Sequence, residues 1–201
     1  MINIPVVCVI EEKIKVFDII KNILAANNGD KNIFLYGNAD FSADIKKHLD
    51  ENGAIIFRRV NPAGFETDIG EIIDLAVLGE FEKNIDIAKL GSIKSVLLNI
   101  DNSCAVKSLN KSDKAMQIVT CGLKEKDTAI FSSINFDEGS VILDLQRSIK
   151  DINGETLEPF EKQINLSEII DNIKKEPPKH AGFTTEDLIL ALSALMFCGR
   201  V

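Results

Sequence analysis

The spacing of apolar residues along the chain switches repeatedly between two periods. "IPVVCVI" (4–10) is an unbroken apolar run rich in β-branched residues, the pattern of a strand covered on both faces of a parallel sheet. From Lys13 the apolar residues recur at helical spacing. Ile14, Phe17, Ile20, Ile23 and Leu24 form one stripe, which predicts a helix from Lys13 to Ala26 ended by the "NNGD" turn at 27–30. "NIFLY" (32–36) reads as a second strand, "DFSADIKKHLDENG" (40–53) as a second helix with a glycine stop, and "AIIFRRV" (54–60) as a third strand. After a break at "NPAG", "IGEIIDLAVLGEF" (69–81) predicts a short helix running into the strand "DLAVLGEF". "NIDIAKLG" (84–91) predicts a connecting helix and "IKSVLLNI" (93–100) the next strand.

Such βαβ alternation predicts an α/β fold: a doubly wound, mostly parallel sheet with helices on both faces and the strand at 4–10 central. Beyond Asp113 the texture changes. "QIVTCGL", "TAIFSSINF", "SVILDLQ" and "EKQINL" are separated by short turn-like stretches, which predicts an antiparallel β extension in the C-terminal half. "KKEPPKHAG" (174–182) reads as a stiff connector. In the last helix Thr184 or Thr185 caps, Glu186 and Asp187 suit the positive end, and Leu188, Ile189, Leu192, Leu195 and Met196 form an apolar face that Gly199 terminates. The simplest organisation is a single domain over 1–201, within which 113–170 could form a β-rich subdomain.

Charge and cysteine usage narrow the functional classes. With 23 basic against 31 acidic residues the net charge is −8, which disfavours nonspecific binding to nucleic acid or to anionic membrane surfaces. Cys8, Cys104, Cys121 and Cys198 stand singly, without the spacing of a zinc or redox motif; Cys8 and Cys121, inside apolar strands, are expected to be buried thiols. No signal peptide or membrane span is expected, so the expected location is cytoplasmic. His48 and His180 read as solvated surface, which leaves few ways to build a histidine-dependent catalytic site.

Four stretches together resemble the central, ATP-binding domain of the Mur ligases and folylpolyglutamate synthases. "VVCVIEEKIKVFDIIKNIL" (6–24) is similar to that family's strand, GTNGKT-type phosphate turn and helix. "SVLLNIDNSCAVKSL" (95–109) resembles its strand ending in an Asn-x-Asp-Asp-like element. "QIVTCGLKEKDTAIFSSI" (117–134) and "TTEDLILALSALMFCGRV" (184–201) resemble its "vitYGl" strand with the strand that follows, and its closing helix. The family's turn needs glycines whose N–H groups wrap phosphate, a Lys to neutralise it and a hydroxyl for magnesium. Here Glu11 and Glu12 occupy the turn, with Lys13 as the basic candidate, so the resemblance implies a degenerate phosphate loop. Two carboxylates where phosphate oxygens would sit repel them. They are expected instead to cap the first turn of the following helix.

Glu80 stands near the family's magnesium ligand but reads better as an ordinary strand end, and no metal or other cofactor is expected. The segment that supplies the family's carbamylated lysine and metal-binding histidine has no counterpart. The chain also stops where the amino-acid-binding domain would begin, so the resemblance implies a truncated relative without catalysis. No catalytic residues are assigned, and an enzyme is the less favoured reading.

Carboxyl ends of parallel strands are where doubly wound proteins place ligands, so Asn99, Asp101 and Asn102 are the candidate ligand contacts. The alternative is that they end a strand through Asx-type hydrogen bonds. Arg58, with Arg59 beside it, could meet an anionic ligand at the end of the third strand. Three functions compete: a non-catalytic Mur-ligase-like protein acting through protein contacts or regulation; a small-molecule-binding enzyme or sensor using the strand ends; and a structural subunit that forms a homodimer through an exposed apolar face, for which the last helix is one candidate.

Overall fold

The computed structural model describes residues 4–26, 33–36, 55–62, 72–109, 116–135, 137–167 and 182–200. Among these residues, nine strands form one sheet. They are β1 (Val6–Ile10), β2 (Ile33–Tyr36), β3 (Ile55–Val60), β4 (Ile72–Leu78), β5 (Ser92–Asn99), β6 (Gln117–Gly122), β7 (Ala129–Asn135), β8 (Ser140–Leu145) and β11 (Phe160–Asn165). Their order is β11-β8-β7-β6-β5-β4-β1-β3-β2. Every pairing from β2 to β7 is parallel, and β8 and β11 add antiparallel. Strands β9 (Ile149–Lys150) and β10 (Thr156–Leu157) make a small separate ribbon.

The apolar run at the start of the chain forms a central strand because both of its faces are buried. Val7 and Val9 enter a core shared with helices α1 (Val16–Ala26) and α3 (Thr185–Phe197). Val6, Cys8 and Ile10 enter a second core, on the opposite face, with a single 3-10 turn at Ile87–Leu90 and helix α2 (Ser103–Leu109). Cys8 and Cys121 are buried free thiols, as their apolar settings predict.

Helix α3 is buried around its whole circumference from Asp187 to Phe197, packed between α1 and strands β4 to β7. It therefore offers no exposed apolar face for dimerisation, contrary to the expectation from its stripe. The stripe was only the most regular part of a helix that is hydrophobic on every side. Thr184 and Asp187 close a reciprocal capping box at its start. Gly199, at φ +65°, ends it by turning the chain so that the Arg200 N–H reaches Leu195 O at 2.9 Å.

Several local expectations are corrected. Strand β4 begins at Ile72, and neither Ile72 nor Ile73 is helical, because buried Asp74 lies within the sheet and accepts the Val6 N–H at 2.8 Å. The connector at 84–91 narrows to the four residues of the 3-10 turn. Strand β6 is parallel to β5 and, over Cys121↔Ala129 and Gly122↔Ile130, parallel to β7, so it is not part of the antiparallel extension. The six residues between β6 and β7 suffice because the chain backtracks only to the level of Thr120, whose carbonyl accepts the Thr128 N–H at 3.0 Å. The expected helix at 40–53, with His48, and the stretch 174–181, with His180, lie outside the described residues. No helix among the described residues is long and apolar enough to cross a membrane.

Candidate functional site: the carboxyl ends of β1, β4 and β5

The chain leaves β1 toward β3 and β2 and leaves β4 toward β5, so connections diverge between β1 and β4. The carboxyl end of such a divergence is open, which is where ligands bind in sheets of this type. Here it opens into a cleft of about 300 Å³, floored by Gly79 and Glu80 after β4 and by Asn99, Asp101 and Asn102 at the end of β5. The first turn of α3 closes its far side.

The turn after β1 is closed on itself. Glu11 is fully buried, and its carboxylate accepts the N–H groups of Lys15 at 3.2 Å, Val16 at 2.9 Å and Phe17 at 3.2 Å. These are free donors at the start of α1, and a carboxylate there also suits the helix dipole. Arg59 Nη2 braces the turn from β3 by donating to the carbonyls of Glu11 at 3.2 Å and Glu12 at 2.9 Å. Its Nε lies 3.7 Å from Glu11 Oε1. Burial outweighs these favourable contacts and raises the Glu11 carboxyl to about 7.

The turn also locks to β4. Glu12 N–H donates to Glu80 O at 2.9 Å, and Gly79 N–H donates to Ile10 O at 2.9 Å. A Cβ on Gly79 would sit 3.0 Å from Glu11 Cβ, so glycine is what lets the two strand ends close around the carboxylate.

Lys15 projects into the cleft. Its ammonium donates to Glu80 Oε2 at 2.9 Å and lies 3.6 Å from Asp187 Oδ2, joining α1, β4 and α3. The Glu80 hydrogen bond raises the Lys15 ammonium above its ordinary value and holds Glu80 below the usual carboxylate range. Lys13, by contrast, is largely exposed and 3.8 Å from Glu80.

At the end of β5 the polar residues organise the backbone. Asn99 Oδ1 accepts the Asp101 N–H at 2.8 Å, and Asn102 Oδ1 accepts the N–H groups of Cys104 and Ala105, each at 3.1 Å, as the cap of α2. Asn102 Nδ2 donates to Gly79 O at 2.8 Å, and Lys124 pairs with Asp101. These are the Asx-type bonds weighed against a ligand role.

Of the residues singled out in the sequence, Glu80, Asn99, Asp101 and Asn102 converge on the cleft. Arg58 does not line it, and Arg59 reaches the turn because successive strand residues face opposite ways. Glu12 contributes its backbone. Sequence reading passed over Lys15 and over the α3 turn as part of the site. The signal for Lys15 was available: the six residues Glu11 to Val16 equal the GTNGKT-type turn in length, and Lys15 falls fifth, where that pattern has its lysine. Among the described residues no cluster of three metal-ligating side chains occurs.

No family model matches the chain, and no curated protein sequence matches it. Among solved structures it is similar to the murein peptide ligase Mpl of Psychrobacter arcticus 273-4, with a TM-score of 0.53 and 9% identity over 98% of this chain. That match covers 44% of the ligase, so the chain spans less than half of its length. At that identity the likeness is one of architecture, and the chain has a Mur-ligase-like α/β fold.

Proposed function

We propose that this chain is a non-catalytic protein with a Mur-ligase-like fold, in which a phosphate-binding turn has become a closed structural turn and which acts through protein contacts or regulation. One observation carries the reading. The α1 N–H groups that would face a phosphate are taken by the buried carboxylate of Glu11. Lys15, at the position of the pattern's lysine, is committed to Glu80 and Asp187. A phosphate entering the turn must displace the Glu11 carboxylate or be repelled by it. Half-exposed Ile100 and Leu123, beside the Asp101–Lys124 pair at the tips of β5 and β6, support a contact role.

The test is calorimetric titration with magnesium ATP together with a phosphate-release assay. The reading predicts neither binding in the micromolar range nor turnover. Micromolar affinity that disappears in Lys15→Glu or Lys13→Glu would refute it.

A further inference from the structure

The nine-stranded sheet ends at β11, and among the described residues no strand pairs with the outer side of that strand. Its register decides which backbone groups face outward. Leu166 N–H donates to Gly139 O at 2.6 Å, and the pairing with β8 runs without a shift from Asn165↔Ser140 to Phe160↔Leu145. In an antiparallel ladder only alternate residues exchange bonds with a given neighbour. Phe160, Lys162 and Ile164 therefore bond to β8, and the N–H and C=O groups of Glu161, Gln163 and Asn165 point away from the sheet. All three of these residues are exposed.

Proteins ordinarily blunt such an edge with proline, a bulge or charge. Strand β11 has neither proline nor bulge within its six residues, and Lys162 is its one basic residue, on the same side of the sheet as Phe160 and Ile164. What fits the edge is decided by register. When it meets its own copy across a two-fold axis at Gln163, outward residues pair only with outward residues: Gln163 with the partner's Gln163, Glu161 with the partner's Asn165, and Asn165 with the partner's Glu161, each pair exchanging two bonds. Lys162 then lies beside the partner's Ile164, whose surface its methylene stem covers. Neither Lys162 nor Glu161 stands directly opposite a like charge. A slip of two residues either way loses one of the three pairs, and one of those slips sets Lys162 opposite the partner's Lys162.

We propose that β11 is a homodimer edge, at which two copies of this chain join antiparallel through Glu161, Gln163 and Asn165 into one continuous sheet. The proposal gives a surface to the contact role put forward above and rests on that reading for its function alone. ATP seated on the α1 amides would refute that reading and leave the edge unaffected, whereas the experiment below reads β11. A six-residue edge buries less than a standard interface of about 1,600 Å², so the dimer is a weak one in exchange with monomer.

Sedimentation equilibrium of the full chain is expected to show monomer and dimer with a dissociation constant below about 1 mM. Gln163→Pro removes an outward N–H and leaves every bond to β8 in place, so the fold survives, as its urea midpoint verifies, while dimerisation weakens at least about tenfold. Cross-linking reads the register. In a Cys104→Ser background, which removes the one cysteine that is not buried, Gln163→Cys should form a disulfide-linked dimer on mild oxidation, because the paired Cα atoms stand about 5.5 Å apart. Asn165→Cys should not, since the two copies of that residue lie four positions apart along the strands, about 14 Å. The proposal is overturned if the chain is monomeric up to about 1 mM, if Gln163→Pro dimerises as tightly as wild type, or if Asn165→Cys cross-links as readily as Gln163→Cys.

Discussion

Replacing Glu11 with Gln removes a buried ionisation while keeping the shape of the side chain and an oxygen to accept α1 N–H groups. The folded-state carboxyl titrates at about 7 against an ordinary 4.5, so the native state binds this proton more tightly than the unfolded chain does. Between those two values the native protein carries the extra proton, and stability falls as pH rises. Stability from this group is complete below about pH 4.5 and lost by the time pH has passed about 7. The difference of about 2.5 pH units corresponds to on the order of 3 kcal/mol. Urea denaturation of wild type and Glu11→Gln at intervals between the two values and above measures it. The wild-type stability should decline with pH relative to the variant by roughly that amount, and the gap should stop widening once the carboxyl is ionised. Parallel curves, or a wild type that gains stability relative to the variant as pH rises, would refute the reasoning: the three N–H groups and Arg59 would then outweigh burial.

Gly79→Ala should cost about 1–3 kcal/mol by forcing a methyl against Glu11 Cβ. The cost should shrink in a Glu11→Gly background, which a double-mutant cycle by urea denaturation would show. Asn102→Ala removes both the α2 cap and the tie to Gly79, so a loss of about 2 kcal/mol and a lower thermal midpoint are expected. Phe197→Ala, at a fully buried site in the core under α1, should cost about 3–5 kcal/mol by the same assay.

The fold was legible where a single strong pattern governed a segment. "VVCVI" can only be buried on both faces, and that placed β1 at the centre of the sheet. Helix α3 announced its cap and its glycine stop, but not its depth, since burial on all sides depends on neighbours distant in sequence. The direction of β6 was not legible, because its apolar alternation is the same in parallel and antiparallel pairing and only the backtrack to Thr120 decides between them. In the site, the strand-end asparagines and Asp101 could be named from strand length and polarity. Glu11 was legible as a cap from its place between strand and helix. Arg59 was not separable from Arg58, because which of two adjacent residues faces the turn depends on the exact register of β3 with β1. Asp187 was read as a helix-end residue, and its pairing with Lys15 joins segments more than 170 residues apart.

The central claim, that Glu11 fills the place of a phosphate on α1, is tested most directly at the three amides themselves. In ¹⁵N-labelled protein titrated with magnesium ATP at neutral pH, the account predicts that the Lys15, Val16 and Phe17 resonances do not move with nucleotide, although they shift with pH as Glu11 ionises. Saturable movement of these three resonances by magnesium ATP would contradict it.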